Sequence, residues 1–247
     1  MNDYKAIDIH CHYNNGSIYD TKVSPLYSAS LDFLRAERLR MDIDKIAFAG
    51  SFAACISDKE IAQQNEDVFA LAQQHDWFYQ WVVVDARKKE TLIQAEKMLK
   101  SKKTIGIKIH SVCHGYDFAP YADEVFELAS RFEKAVMMHP DDKPEAIAKI
   151  ADKWQKTKLI LAHLGAIEHI DAISGARNVY ADTSGNASSQ NNVIEYAVNK
   201  VGSEKILFGT DTYSCAFQKG RILLADISEE DKQNILYKNA ERIFSLE

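Results

Sequence analysis

Strand-like and helix-like segments alternate along the whole sequence, and this alternation limits the folds that the chain can adopt. Short runs rich in β-branched and aromatic residues, such as Phe78–Val84, are each followed by a segment with helical spacing of its apolar residues. Such alternation is typical of parallel sheets, whose strands need long crossover connections. Eight strands are predicted, at Tyr4–His10, Lys45–Gly50, Phe78–Val84, Thr104–His110, Ala135–His139, Lys158–His163, Asn178–Asp182 and Lys205–Thr210.

Eight such units within 247 residues predict a closed (β/α)₈ barrel, the TIM barrel, in the α/β class. No linker, low-complexity tract or repeat divides the chain, so residues 1–247 are expected to form a single domain. An open doubly wound sheet is the competing architecture. It would normally carry a glycine-rich phosphate turn after an early strand, but here the first strand is followed by His-Cys-His-Tyr.

Long irregular segments follow two of the predicted strands, at Tyr13–Ser30 and Ser111–Pro120. A loop of the first length is uncommon in a compact domain and more often has a function than not. The tail, Glu229–Ser245, is predicted to be a final helix.

Charge and composition exclude some classes of partner. The formal net charge is −6 and no basic stripe is evident, which argues against nucleic-acid binding. No apolar run approaches the roughly 18 residues of a membrane span, and the N-terminus lacks a signal-peptide pattern. The four cysteines form no Cys-x-x-Cys pair, which favours a reducing compartment, with the cytoplasm as the default. A small molecule is therefore the expected partner.

The first strand ends in two histidines separated by one residue, His10 and His12. Because side chains alternate along a strand, both imidazoles should face one space, together with Asp8, while Ile9 and Cys11 face the other way. Two convergent imidazoles supply half of a divalent metal site. On this pattern alone, however, two hydrogen-bonded structural histidines are the simpler interpretation.

Further chemically active side chains end the later strands. Since barrel enzymes build their sites at the carboxyl ends of the strands, these residues are candidates for one shared site. Six of the eight histidines lie at or just beyond a predicted strand end, and only His75 and His169 fall in helices. The side chains at later strand ends are Lys108, His110, His139, His163, Asp182 and Asp211.

Five segments give the sequence a resemblance to the amidohydrolase superfamily, and more narrowly to the branch containing aminocarboxymuconate semialdehyde decarboxylase and related hydrolases. They occur in the family's order, each at the end of a predicted strand, and together they span nearly the whole chain. The segments are Ile7-Asp8-Ile9-His10-Cys11-His12, Gly106-Ile107-Lys108-Ile109-His110, Val136-Met137-Met138-His139-Pro140, Leu161-Ala162-His163-Leu164-Gly165 and Phe208-Gly209-Thr210-Asp211.

The resemblance implies one divalent ion, usually zinc, held by His10, His12, His139 and Asp211. Three neutral imidazoles and one carboxylate suit Zn²⁺ and leave a position for water. The resemblance also implies that His163 acts as a catalytic acid or base, or as a substrate ligand, and Asp211 could accept the proton of that water. Packing beside the site is a competing interpretation for His163, and a helix cap is one for Asp211.

Lys108 and His110 share a strand face and could both point inward, where they would contact substrate or support the site. In two-metal amidohydrolases a carbamylated lysine on the fourth strand bridges the ions, whereas the branch most similar to this sequence generally uses one metal. We therefore expect one ion and an unmodified Lys108, with a second metal as the less favoured alternative. A structural lysine paired with an inward carboxylate is the other interpretation.

Three functions are compatible with these residues. The first is a metal-dependent hydrolase that uses a metal-activated water on an amide, ester or lactone of a small molecule. The second is a non-oxidative decarboxylase of a small carboxylic acid; the absence of an arginine at a strand end favours hydrolysis over it, although Lys108 could hold the carboxylate. The third is an inactive ligand-binding barrel. The resemblance allows a homodimer, since related proteins are often dimers, but no interface can be drawn from the sequence.

Overall fold

In the computed structural model, all eight strands belong to one parallel sheet in which each strand is hydrogen-bonded to the next along the chain. The structure describes residues 4–13, 30–50, 60–140, 143–164, 166–185 and 190–246. This order is that of the predicted (β/α)₈ barrel, which is confirmed. The strands are β1 (Ala6–His12), β2 (Ile43–Ala49), β3 (Phe78–Val84), β4 (Thr104–Ile109), β5 (Ala135–Met138), β6 (Leu159–Leu161), β7 (Val179–Asp182) and β8 (Ile206–Leu207).

Backbone hydrogen bonds between the first and last strands bring the two edges of the sheet together. The amide of Ile9 donates to the carbonyl of Phe208 at 3.0 Å. The carbonyl of His10 accepts from both Thr210, at 3.1 Å, and Asp211, at 2.7 Å. Closure therefore places the end of β8 directly beside the His-x-His segment of β1.

Helices follow the strands and cover the outside of the barrel. Ser30 begins the first of them by accepting a hydrogen bond from the amide of Phe33, as an N-cap serine should. The helices are α1 (Leu31–Arg40), α2 (Ile61–Gln74), α3 (Lys89–Met98), α4 (Ser111–His114), α5 (Ala122–Arg131), α6 (Pro144–Lys153), α7 (Ile167–Ser174), α8 (Val193–Val201), α9 (Cys215–Leu223), α10 (Glu229–Gln233) and α11 (Asn239–Phe244). None of the helices described is long and apolar enough to cross a membrane.

The inside of the barrel is packed with side chains that come from the strands. Ile9, Trp81 and Met137 belong to one buried cluster, separate from the layer between the sheet and the helices. The Trp81 indole donates to the carbonyl of Ile9 at 2.7 Å, which ties β3 to β1 across the interior. Gly106 makes room for the indole, since a Cβ there would lie 2.4 Å from the ring.

A β-bulge in β1 overturns the expected alternation of its side chains. The pairing of β1 with β2 shifts register between Asp8 and Cys11, so one extra residue is inserted there. Ile9 therefore packs in the barrel interior instead of facing away, and Asp8 pairs with Ile46, which belongs to the outer layer. The prediction that Asp8 shares a face with the two histidines is wrong because strict alternation holds only in an unbulged strand.

Two other local predictions are also corrected. The segment Ser111–Pro120 is not wholly irregular, because it contains α4 and leads into a short 3₁₀ turn at Ala119–Tyr121. The helix α9, which begins at Cys215, was not predicted. The first long segment, Tyr13–Ser30, lies largely outside the described residues.

Candidate active site

Side chains from the carboxyl ends of β1, β6, β7 and β8 converge inside one end of the barrel. Potential ligand atoms of His10, His12 and Asp211 all lie within 4.8 Å of one another, and those of His10, His163 and Asp182 form a second, overlapping group. Each of these five residues is buried. Buried acids and imidazoles must be paired or bind an ion, so their convergence requires an electrostatic explanation.

Four histidines share one hydrogen-bonding pattern. In each, Nδ1 lies beside an oxygen that can accept its proton: Asp182 Oδ2 for His10 at 2.9 Å, and the Gly50 carbonyl for His12 at 3.2 Å. The Pro140 carbonyl lies 3.1 Å from Nδ1 of His139, and the Ser184 carbonyl lies 3.2 Å from Nδ1 of His163. A neutral imidazole carries one N–H, so these acceptors direct the lone pair to Nε2.

Those Nε2 atoms meet the carboxylate of Asp211. Its Oδ1 lies 3.1 Å from His12 Nε2 and 3.5 Å from His10 Nε2. Lone pairs that face a carboxylate at this distance require a proton or a cation between them. Two ligands of a tetrahedral ion with bonds of about 2.0–2.2 Å are roughly 3.4 Å apart, so the observed spacing fits a divalent metal.

His139 lies beside these compact groups and does not belong to either of them. Its ring centroid is 5.0 Å from that of His163, and it stacks on His110 at 4.3 Å. The structure thus brings three of the four predicted ligands together and leaves the fourth next to the site. His110 is buried in that stack, and its Nδ1 has no hydrogen-bond partner among the described residues.

Burial and neighbouring charge favour the neutral form of His10 and His139 and the ionised form of Asp211. Burial, together with the Lys108 cation, lowers the pKa of His10 to about 4, and burial and His163 lower that of His139 to about 3. Burial alone would raise the pKa of Asp211, but the hydrogen bond from His12 and the nearby His163 hold it well below its usual range. Neutral imidazoles beside an ionised carboxylate are the protonation states that a metal needs.

Lys108 points into this site, as its strand face predicted. The side chain is fully buried, and its Nζ lies 2.9 Å from Nε2 of His10. Lys108 thus contacts an imidazole of the site. The ammonium lies against Nε2 of His10, the nitrogen that carries the lone pair when Nδ1 donates to Asp182.

The backbone is strained where it carries the site. His163, Asp211 and Thr212 have φ values of 63°, 55° and 64°, three of the seven positive values among the described non-glycine residues. A non-glycine residue with positive φ is strained, and such strain costs free energy and tends to be retained at functional sites. Gly185, with φ of 72°, is needed for a second reason: a Cβ there would lie 2.7 Å from Nδ1 of His163.

Two residues that support the histidines were not assigned this role from the sequence. Asp182, at the end of β7, accepts from His10 Nδ1 and also from the amides of Ser184 and His163. The Ser184 hydroxyl lies 3.0 Å from Nδ1 of both His10 and His163. Position at the end of β7 was the available signal for Asp182, and nothing in the sequence distinguished Ser184.

Arg87, just after β3, is held in place by hydrogen bonds. Its guanidinium makes two hydrogen bonds to the buried Asp85 and one to the carbonyl of His114. The ion pair therefore joins the end of β3 to α4, beside the site.

The model of the amidohydrolase family matches residues 7–246. The chain belongs to this family. No curated protein matches the chain.

Solved structures with the same fold share little sequence identity with this chain. A dihydroxybenzoic acid decarboxylase from Polaromonas sp. JS666, with bound manganese and the inhibitor 2-nitroresorcinol, has a TM-score of 0.78 at 14% identity over 99% of this chain and 98% of that one. A 5-carboxyvanillate decarboxylase from Sphingomonas paucimobilis has a TM-score of 0.75 at 14% identity over 99% and 100%. A candidate 2-pyrone-4,6-dicarboxylic acid hydrolase from Pseudomonas putida has a TM-score of 0.69 at 13% identity over 99% of both chains. At these identities the likeness shows a common fold.

Proposed function

We propose that this amidohydrolase-family barrel is a metal-dependent, non-oxidative decarboxylase of a small carboxylic acid. The observation that carries the proposal is the buried group of His10, His12 and Asp211, with the Lys108 ammonium beside it. Hydrolysis was the first expectation from the sequence. Decarboxylation is now preferred because a buried cation lies where a substrate carboxylate would need one and because two of the structural neighbours are decarboxylases.

One divalent ion would be held by His10, His12 and Asp211, with His139 as the fourth ligand. It would supply positive charge that fixes and polarises the substrate's oxygen atoms. The donor set suits Zn²⁺, whereas the Polaromonas neighbour holds manganese, and both ions belong in the reconstitution test. A second ion bridged by a carbamylated Lys108 is the less favoured alternative.

Lys108 and His163 have separate roles in the proposed reaction. The Lys108 ammonium attracts the substrate carboxylate into a site from which water is largely excluded. His163 has its Nδ1 against the Ser184 carbonyl and its Nε2 3.9 Å from Oδ2 of Asp211. After it takes a proton from solvent at Nε2, the His163 imidazolium is the proposed proton donor. His110, stacked on His139, forms the adjoining wall of the substrate site.

The reaction breaks one carbon–carbon bond and forms one carbon–hydrogen bond. The electron pair of the broken bond stays on the substrate carbon, which takes the proton from Nε2 of His163, and the carboxylate leaves as carbon dioxide. The His163 imidazolium becomes a neutral imidazole in this step, and it takes up a new proton from solvent at Nε2 before the next turnover. No oxidant or reductant is needed.

Isotope labelling distinguishes decarboxylation from hydrolysis. The metal-loaded protein would be incubated with hydroxylated and methoxylated benzoic acids, and with lactones and esters, in D₂O and in H₂¹⁸O. Decarboxylation should release carbon dioxide and leave one deuterium on the carbon that lost it. Incorporation of ¹⁸O into a ring-opened or cleaved product, without carbon dioxide, would establish hydrolysis instead, the reaction named for the Pseudomonas neighbour.

His163→Asn tests the proton donor. The variant should lose about 10²–10⁴-fold in kcat and keep its metal, because general acid catalysis contributes that much and His163 is not a proposed ligand. His169→Asn, on α7, is the matched control and should retain full activity. A fully active His163→Asn would remove this histidine from the mechanism.

Metal content per chain tests the ligand set. Elemental analysis should give about one equivalent in the wild type and much less in His10→Ala. Two equivalents, with a mass increase on Lys108, would establish the two-metal alternative. A protein that stays empty after incubation with Zn²⁺ and Mn²⁺ would refute the proposal.

A further inference from the structure

A cleft of about 1190 Å³ opens at the other end of the barrel, where the strands begin. Tyr79, Ile105 and Ala135, at the starts of β3, β4 and β5, lie on its floor. The proposed catalytic residues stand at the opposite, carboxyl ends of the strands. The cleft is therefore a separate feature, and it is large enough for an organic molecule of cofactor size.

The lining of this cleft is strongly basic in a chain whose net charge is −6. Its described lining residues include six cations but only two acids, Asp76 and Glu133. The six cations are Lys102, Lys103, Lys134, Lys156, Lys158 and Arg242.

Helix ends explain part of this charge. The lysines come from the loops that follow helices, where cations offset the negative end of the helix dipole. Nζ of Lys103 donates to the carbonyl of Asp76 at 2.6 Å, and Nζ of Lys134 donates to that of Ser101 at 3.1 Å. An ammonium has three donors, so Lys134 can bind a ligand while it keeps its hydrogen bond to Ser101. Lys102 and Lys156 are exposed at the surface of the cleft.

Aromatic surface lies among the cations. Phe132 and Phe244 are half-buried and line the same cleft, and Nζ of Lys103 stands 4.3 Å from the ring centroid of the buried Tyr79. A set of lysines that only offset the negative ends of helix dipoles would not need aromatic side chains beside it. Apolar rings beside several cations suit a molecule with an organic body and more than one phosphate.

We propose that this cleft, at the opposite end of the barrel from the catalytic site, binds a phosphorylated organic molecule of the nucleotide class. The phosphates lie against the six cations and the organic body packs on Phe132 and Phe244. The binding is independent of the metal and of turnover.

Isothermal titration calorimetry with adenosine 3′,5′-bisphosphate tests the proposal on the full chain, with adenosine as the phosphate-free control. The bisphosphate should bind the wild type, adenosine should bind far more weakly, and affinity should fall as salt is raised. Lys102→Glu/Lys156→Glu should weaken binding by about tenfold or more, since two attractive charges become repulsive. Lys97→Glu/Lys149→Glu changes the net charge equally on exposed helix surfaces and should bind as the wild type does.

A further variant separates this site from the catalytic one. Asp211→Asn should bind the bisphosphate as tightly as the wild type, because Asp211 is at the other end of the barrel. Binding lost in Asp211→Asn but kept in Lys102→Glu/Lys156→Glu would place the ligand at the metal site and overturn the proposal. Absence of bisphosphate binding to the folded wild type would also overturn it and leave the cations with their helix ends alone. Circular dichroism of each variant checks that loss of binding is not loss of fold.

Discussion

Replacing Asp182 with asparagine should weaken metal binding without removing a ligand. In the wild type, Oδ2 of this fully buried carboxylate accepts from Nδ1 of His10 at 2.9 Å. Oδ1 accepts from the amides of Ser184 and His163 at 2.8 and 3.3 Å. The asparagine oxygen can keep the two amide bonds, which leaves its NH₂ group facing the imidazole.

Two donors would then meet at Nδ1 of His10. The ring can avoid this by moving its proton to Nε2, the nitrogen that the proposed metal site needs unprotonated. Substitution of such an outer partner typically costs about 10–100-fold in metal affinity, which is roughly 1.4–2.8 kcal/mol. We expect Asp182→Asn to fall within this range.

Competition with a chromophoric chelator measures the change directly, on apo protein reloaded with Zn²⁺ or Mn²⁺ and without any substrate. Asp85→Asn is the matched control, because Asp85 is an equally buried carboxylate that follows β3 and is bound to Arg87. It should lose stability and keep the wild-type metal affinity. If Asp182→Asn bound metal as tightly as the wild type, or if both variants lost affinity alike, the argument from the His10 tautomer would be refuted.

Two predictions concern stability. Gly106→Ala would place a Cβ 2.3 Å from the Ala135 carbonyl and 2.4 Å from the Trp81 ring. Chemical denaturation should therefore show that the free energy of unfolding falls by about 1–3 kcal/mol or more. The control Gly220→Ala, in open space on α9, should not lower it. In the metal-free protein, burial raises the pKa of Asp8 from its ordinary 3.8 to about 7. The stability that protonated Asp8 contributes is fully present below about pH 4 and is lost as the pH rises through 7. The free energy of unfolding of Asp8→Asn should therefore increase relative to that of the wild type between these pH values. If the two free energies changed with pH in the same way, the prediction would be contradicted.

Much of the architecture could be predicted because strand and helix patterns are local properties of the sequence. The range Phe78–Val84 was predicted with the bounds that the structure gives for β3. Short strands were harder: β8 spans only Ile206–Leu207, within a longer predicted run, because its later residues turn toward the site. The helix α9 escaped prediction because two of the three residues that it buries, Gln218 and Lys219, are polar and because it contains Gly220.

The site was predictable in its residue types but not in its geometry. Histidines, a lysine and an aspartate at successive strand ends are visible in a linear sequence, because parallel strands deliver their ends to one place. The bulge between Asp8 and Cys11 is not visible, because it arises from pairing with β2, and it decides which side chains of β1 face inward.

By itself, the sequence determined the order of strands and helices and the list of side chains at the strand ends. Only the tertiary structure decided which of those side chains meet. The carbonyl of His10 accepts from Asp211 across more than 200 positions of sequence, and Asp182 orients His10 from a similar separation. Barrel closure creates these contacts, and it depends on the pairing register of all eight strands. No local segment holds that information, because each register is fixed jointly by the strands on either side.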